Sequence, residues 1–294
     1  MGLFKGYERK EDGAIRFYDI KSKKTRFWVV MIFLACCLMA LVALFPVFWL
    51  LCSSLKNLGE YLSTTQILPK EPDWAGWLKT WNDIGFTKYY INSGISVLGG
   101  VVCAVFFNGM LAYVLAVLKP AGHKIVLGLV MWCLLIPPTT SFVALFVNLK
   151  KIGLTGSFIP LWLTMGANAY WVILFKNYFE SLPKDFLEAA RLDGCSDFQV
   201  FTKIVLPLSK PIMVVIVIFA ICAAWSDFLM PYLLLNGTAK ETVMVKLYSF
   251  QNSIKTNQID IIRAVLYSII PPTILFAIFQ KQIMGGVMSG GIKG

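Results

Sequence analysis

Six stretches of apolar residues, each near the length a helix needs to cross a bilayer, constrain this chain more than any other feature. A hydrocarbon core of about 30 Å takes roughly 20 apolar residues as a helix. The stretches run over residues 28–52, 91–118, 125–147, 158–175, 212–235 and 261–279. Only 15% of the 294 residues are charged and the mean hydropathy is +0.70, whereas soluble domains carry about 25% charged residues. The expected fold class is therefore an all-α membrane protein with six transmembrane helices: an arm over 1–27, a membrane domain over 28–279 and a tail over 280–294. The first stretch is too long for the apolar core of a signal peptide and follows 27 charge-rich residues, so it reads as a retained helix.

Lysine and arginine set the orientation, because loops on the cytoplasmic side carry the excess. With six spans both termini share a side. That side holds seventeen basic residues, eight of them in the arm, and the opposite loops hold nine. Arg263 falls at the outer end of the last stretch, where it is expected to snorkel to the headgroups. Both termini are thus predicted in the cytoplasm. The net charge of +11 follows from this flanking pattern and does not imply nucleic acid. The seven cysteines read as small apolar residues or ends of apolar runs, and no pair has metal-ligand spacing. With one histidine, His123, a two-histidine zinc helix is impossible. No metal site is predicted.

A polar island over residues 181–211 separates the fourth and fifth stretches. Ser181 and Pro183 resemble a helix start. Lys184 to Asp193 contains no breaker, with Phe186, Leu187, Ala190 and Leu192 as its apolar surface. Gly194 supplies the positive φ of a C-terminal cap. Ser196 and Gln199 have the spacing of a capping box. Phe198, Phe201 and Val205 are expected on one face of the second helix, which Pro207 and Pro211 end. An amphipathic helix lying on lipid would be richer in basic residues than one carrying Glu188, Asp193 and Asp197. A DNA-reading helix-turn-helix would be basic and untethered. The island reads best as a projection made for a protein partner.

Elsewhere, Trp74, Trp77 and Trp81 share one helical face, expected as an interfacial helix with its indoles among headgroups or as a contact for an external protein. Asp227 is the one acidic residue deep in an apolar run. Lipid exposure would cost it about 2.5–3.5 kcal/mol, so it should face the interior or a watery path. Trp225 and Phe228 bracket it, a cluster suited to a polyhydroxylated solute or to a helix–helix contact. Asn108, Asn148, Asn168 and Tyr170 are further polar candidates, with structural roles expected first. Pro137-Pro138 and Pro271-Pro272 predict kinked helices.

Glu188-Ala189-Ala190, two residues, Asp193-Gly194, six residues, Phe201, then Leu206-Pro207 and Pro211 together resemble the EAA loop of binding-protein-dependent ABC importer permeases, the carbohydrate branch in particular. Cys195 stands where that family carries alanine. Asn92-Ser93 fits, as does Trp225-Ser226-Asp227-Phe228 with Pro231, where the family usually has asparagine in place of Ser226. Gly290-Gly291-Ile292-Lys293-Gly294 resembles the end of the shorter, maltose-type permease subunit. The resemblance covers most of the chain. It implies the type I ABC importer permease fold in a bacterial inner membrane, with Glu188, Ala189, Ala190, Asp193 and Gly194 as the ATPase-coupling element. Glu188 would pair with a basic partner group, and Asp193 would brace the turn. Implied partners are a second homologous permease subunit, two nucleotide-binding ATPase subunits and an extracytoplasmic solute-binding protein. Trp225, Asp227, Phe228, Asn168 and Tyr170 are candidate substrate-path residues.

The chain carries no phosphate-binding Gly-x-x-x-x-Gly-Lys loop, so it needs no cofactor of its own. ATP and Mg would be bound by the partner ATPases. The expected function is the permease subunit of an ATP-driven carbohydrate importer, oligosaccharides foremost. The alternative is a secondary transporter driven by an ion gradient, a class marked by internal repeats and ionisable residues near the midplane, of which Asp227 is the one example here. An intramembrane enzyme lacks any paired carboxylates or nucleophile–base set in the spans.

Overall fold

The computed structural model describes residues 23–254 and 256–291, and the chain divides after Asp73 into two units. The described residues are helical with no strand. The predicted arm before residue 23 and the final three residues lie outside them.

The first unit contains α1 (Lys23–Ser54) and α2 (Leu58–Ser63). The helix α1 starts at Lys23 rather than at residue 28, and its apolar side chains from Phe27 to Leu51 are exposed around the whole cylinder. A helix apolar on every side is a bilayer span or is covered by protein. After it the chain folds on itself. The Asn57 side chain accepts from the Glu60 N–H at 2.8 Å and caps α2, the Glu60 carboxylate accepts from the Lys70 N–H at 2.7 Å, and buried Lys56 donates to the Gln66 carbonyl.

The second unit begins with α3 (Trp74–Ile84) and α4 (Phe86–Tyr113), which runs on through a π-helical turn (Val114–Leu118). Next come α5 (His123–Leu135), α6 (Phe142–Lys151), α7 (Ile159–Met165), α8 (Ala169–Glu180) and α9 (Lys184–Leu192). Then follow α10 (Asp197–Val200), a second π-helical turn (Phe201–Val205), α11 (Leu206–Leu208), α12 (Lys210–Ser226), α13 (Leu229–Leu235), α14 (Val243–Gln251) and α15 (Gln258–Gly291). The helix α4 is the central post, packed against α7, α8 and α12, and α12 packs in turn on α15. The helix α15 continues through Gly291, past the expected end of the last span at 279.

Three described helices are long and apolar enough to cross a membrane unbroken: α1, α4 with its π-helical turn, and α15. Two bent pairs bring the number to five by length and composition, one bent by 95° at Pro137-Pro138 and one by 85° between Leu208 and Lys210. Among the described residues the six expected apolar stretches are not all continuous helices. The fourth stretch, expected over 158–175, is split between α7 and α8, and the fifth, expected over 212–235, is interrupted at Asp227-Phe228.

The split between α7 and α8 shows how a break is tolerated. Asn108 of α4 is fully buried and donates through Nδ2 to the Ala104 carbonyl at 2.7 Å and the Met165 carbonyl at 2.9 Å. Its Oδ1 accepts from the Asn168 N–H at 2.8 Å, and Asn168 caps α8 by accepting from the Trp171 N–H at 3.1 Å. One side chain thus serves a carbonyl and an N–H that the missing helical turn leaves open. Gly166 is required in the break, since a Cβ there would lie 2.9 Å from the Phe107 ring and 3.2 Å from the Cys103 carbonyl.

Two expectations are corrected at the opposite end of the bundle. Trp74, Trp77 and Trp81 do lie on one helix, but only Trp74 is exposed. Trp77 and Trp81 pack edge-on against Tyr267 at centroid distances of 4.9 and 5.2 Å, and Trp81 stacks on Phe86 at 5.3 Å. Burying two indoles in an aromatic box removes more apolar surface than resting them at headgroup depth. Arg263 is buried rather than snorkelled. It pairs with Asp260 at 3.5 Å and donates to Thr80 Oγ1 at 3.3 Å, while Thr80 donates to Asp260 at 2.7 Å. A guanidinium with fixed partners in the protein has no need of the headgroups.

Replacing Asn108 with alanine leaves the Met165 carbonyl and Asn168 N–H without partners at about 1–3 kcal/mol each. The expected result is a lower thermal midpoint of the purified protein, with Asn108→Ala losing more than Asn148→Ala at an exposed position. Equal effects would contradict the bracing role.

Candidate coupling surface and translocation path

At the foot of α8, Lys176 and Lys119 hold Glu180 at 2.8 and 3.5 Å. The Lys176 hydrogen bond is the main reason the Glu180 carboxyl lies below its usual range. Pro183 (φ −59, ψ 129) is the N-cap residue of α9, which begins at Lys184 as expected. Asp185 in its first turn and Arg191 in its last both complement the helix dipole.

The termination follows the sequence closely. Gly194 has φ +80. Its N–H donates to the Arg191 carbonyl at 3.0 Å and the Cys195 N–H reaches back to the Ala190 carbonyl at 3.0 Å. This is the paired arrangement of a Schellman cap, which favours glycine at the left-handed position. The Asp193 N–H donates to the Ala189 carbonyl at 3.0 Å, the last regular bond of α9. The capping box at α10 is present in both directions: the Gln199 N–H donates to Ser196 Oγ at 3.3 Å and the Ser196 N–H to Gln199 Oε1 at 2.8 Å. Arg191 and Asp197 pair at 3.5 Å across the turn, an exposed bridge that contributes little by itself.

The island has two faces. Leu187, Ala190, Val200, Phe201 and Val205 are buried in the bundle core, and Phe201 packs on Tyr113 at 5.4 Å and Phe106 at 6.2 Å. Phe186, Glu188, Ala189 and Leu192 are exposed, Leu192 at 89%. Ala190 therefore anchors the loop, and of the alanine pair only Ala189 is offered outward. Phe198 does not share the fate of Phe201 and Val205. It is 57% exposed, with only the edge of its ring against Phe106 at 6.4 Å.

The path candidates separate into two groups. At the α12–α13 break Asp227 is half-buried, and its backbone N–H donates to the Ala223 carbonyl at 3.0 Å as the C-cap of α12. Phe228 packs with Tyr232 at 5.2 Å and Tyr248 at 4.9 Å, and the two tyrosines meet at 5.3 Å. Trp225 is buried and donates through Nε1 to the Ser268 carbonyl at 3.0 Å, so its indole is committed to packing. Asn168, half-buried, and Tyr170, exposed, lie at the α7–α8 break. Sequence reasoning missed Tyr232 and Tyr248. The i, i+4 spacing of Phe228 and Tyr232 was readable, whereas Tyr248 comes from another helix. Asn92 donates to the Ala239 and Glu241 carbonyls at 3.0 and 2.9 Å, and Ser93 Oγ accepts from the Val243 N–H at 2.9 Å. The dipeptide thereby fixes the loop between α13 and α14.

Residues 100–284 match the family described as binding-protein-dependent transport system inner membrane component. The chain belongs to that family. Its relatives include the diacetylchitobiose uptake system permease NgcG of Streptomyces coelicolor, 30% identical over 87% of this chain and 86% of that one. The arabinooligosaccharides permease AraQ of Bacillus subtilis is 31% identical over 87% and 93%. Among solved structures, a chain of a bacterial ABC transporter that imports the acidic polysaccharide alginate shares the fold with a TM-score of 0.80 at 24% identity, covering 88% of this chain and 98% of that chain. This protein is thus an inner-membrane transport permease subunit and not an enzyme.

Gly194→Ala should destabilise the α9–α10 turn by about 1–2 kcal/mol, because an L-side chain resists the left-handed region. Faster amide exchange confined to 184–208 is expected. Unchanged exchange there would contradict the cap.

Proposed function

We propose that the chain is half of the translocation pore of an ATP-driven carbohydrate importer, with oligosaccharides as the cargo, and that its polar island couples it to ATPase subunits. Relatives named for diacetylchitobiose and arabinooligosaccharide uptake support the cargo class. The observation that carries the coupling role is the division of the island: one face is locked into the core, and the other presents Phe186, Glu188 and Leu192. A projection with a rigid root and an exposed tip of apolar and charged residues transmits displacement from a partner into the bundle. A loop lying loosely on lipid would not.

In this reading Glu188 pairs with a basic group of a nucleotide-binding subunit, while ATP and Mg stay in the two ATPases. A second homologous permease completes the pore, and an extracytoplasmic binding protein delivers the solute. The aromatic group Phe228, Tyr232 and Tyr248 beside Asp227 offers ring faces and hydroxyls suited to sugars. The excess of basic residues beside the island puts it and both termini in the cytoplasm.

Glu188→Ala should lower ATP-dependent uptake by about tenfold, the loss of one charge-assisted contact, with the assembled complex still recovered on purification. Normal uptake, or uptake driven by a proton or sodium gradient without ATP, would overturn the reading. Cys195, half-exposed in the island, should react with an impermeant maleimide in inverted vesicles and not in right-side-out ones.

A further inference from the structure

Pro271 and Pro272 lie inside α15. A proline in a helix cannot donate to the carbonyl four residues earlier, so these two leave the carbonyls of Tyr267 and Ser268 open. Both are occupied by side chains from other helices. The Tyr90 hydroxyl of α4 donates to the Tyr267 carbonyl, and the Trp225 Nε1 of α12 donates to the Ser268 carbonyl at 3.0 Å. The two rings pack edge-on at 5.3 Å, so the two caps form one unit. Beside the prolines lies an apolar cavity of about 360 Å³, open on one side to the bundle's surface and lined by Gly94, Val97, Leu98, Trp225, Pro271 and Pro272 among others.

We propose that Tyr90 and Trp225 are positioning residues of the transport cycle. They hold the last helix across its two prolines by capping the two freed carbonyls, and the cavity is the room into which α15 shifts when the caps release. In a bilayer no water can replace a lost cap, so the helix exchanges between discrete capped arrangements rather than flexing continuously. The cavity on one flank removes the packing that would otherwise oppose such a shift. Each cap answers to its own proline: Tyr90 to Pro271 and Trp225 to Pro272.

That correspondence is testable without transport. Tyr90→Phe and Trp225→Phe should each lower the thermal midpoint of the purified importer complex by roughly 2–4 °C. Pro271→Ala restores a backbone donor to the Tyr267 carbonyl and should rescue Tyr90→Phe but not Trp225→Phe. Pro272→Ala should do the reverse. Rescue that ignores the pairing, or no loss in either single variant, overturns the latch. Where a single variant fails to assemble, recovery of complex only with the matched proline substitution supports it, and failure of both combinations overturns it.

The movement rests on the importer reading and is tested separately. In the complex, Tyr90→Phe should reduce uptake about fivefold, the factor for one hydrogen bond, with ATP hydrolysis retained. Gly94→Leu, which fills the cavity from a position with nothing within 4 Å of a new Cβ, should lower uptake at an equal or higher thermal midpoint. A purely structural cavity would gain stability and keep full uptake, which would sink the movement. Absence of ATP-dependent uptake in the unaltered complex would instead refute the importer reading and leave the matched-proline result standing.

Discussion

Backbone polar groups inside a bilayer have no water to bond with, and the structure is organised around that constraint. At two places where the membrane bundle departs from a regular helix, side chains supply what the helix no longer provides. Asn108 serves the Met165 carbonyl and the Asn168 N–H at the α7–α8 break. Tyr90 and Trp225 serve the carbonyls stranded by Pro271 and Pro272. The donors come from α4 and α12, the two helices at the centre of the packing. Irregularity is thereby confined to places that the core can reach.

The same economy gives the polar island a fixed shape. A Schellman cap closes α9 and a capping box opens α10. Phe201, Val205, Leu187 and Ala190 are sunk into the core beside Tyr113 and Trp171. The outward residues are then free of structural duty. A force applied at Phe186 or Leu192 reaches α4 through packed rings rather than through a flexible hinge.

At the other end, the aromatic box of Trp77, Trp81, Phe86 and Tyr267 and the Arg263–Asp260–Thr80 network fasten α3 to α15. Periodicity put the three tryptophans on one face correctly. It could not tell whether that face met lipid or protein, because an indole satisfies either. Arg263 was misplaced for a related reason: a basic residue near a span's end looks alike whether it reaches for headgroups or for Thr80 and Asp260, and these partners come from 183 residues away and from the preceding turn.

The sequence alone determined the class of fold, the polar island and its caps, because these depend on local rules: span length, the φ demanded at Gly194, and the reciprocal bonds of Ser196 and Gln199. It also marked Pro271-Pro272 as a place where the last helix loses backbone donors. Tertiary structure decided where the fourth and fifth stretches break, which alanine of the island is offered outward, and that Trp225 is spent on a carbonyl rather than held out to a solute. Each of those outcomes turns on a partner distant in the chain, and one-dimensional spacing holds no record of which distant donor meets which open acceptor.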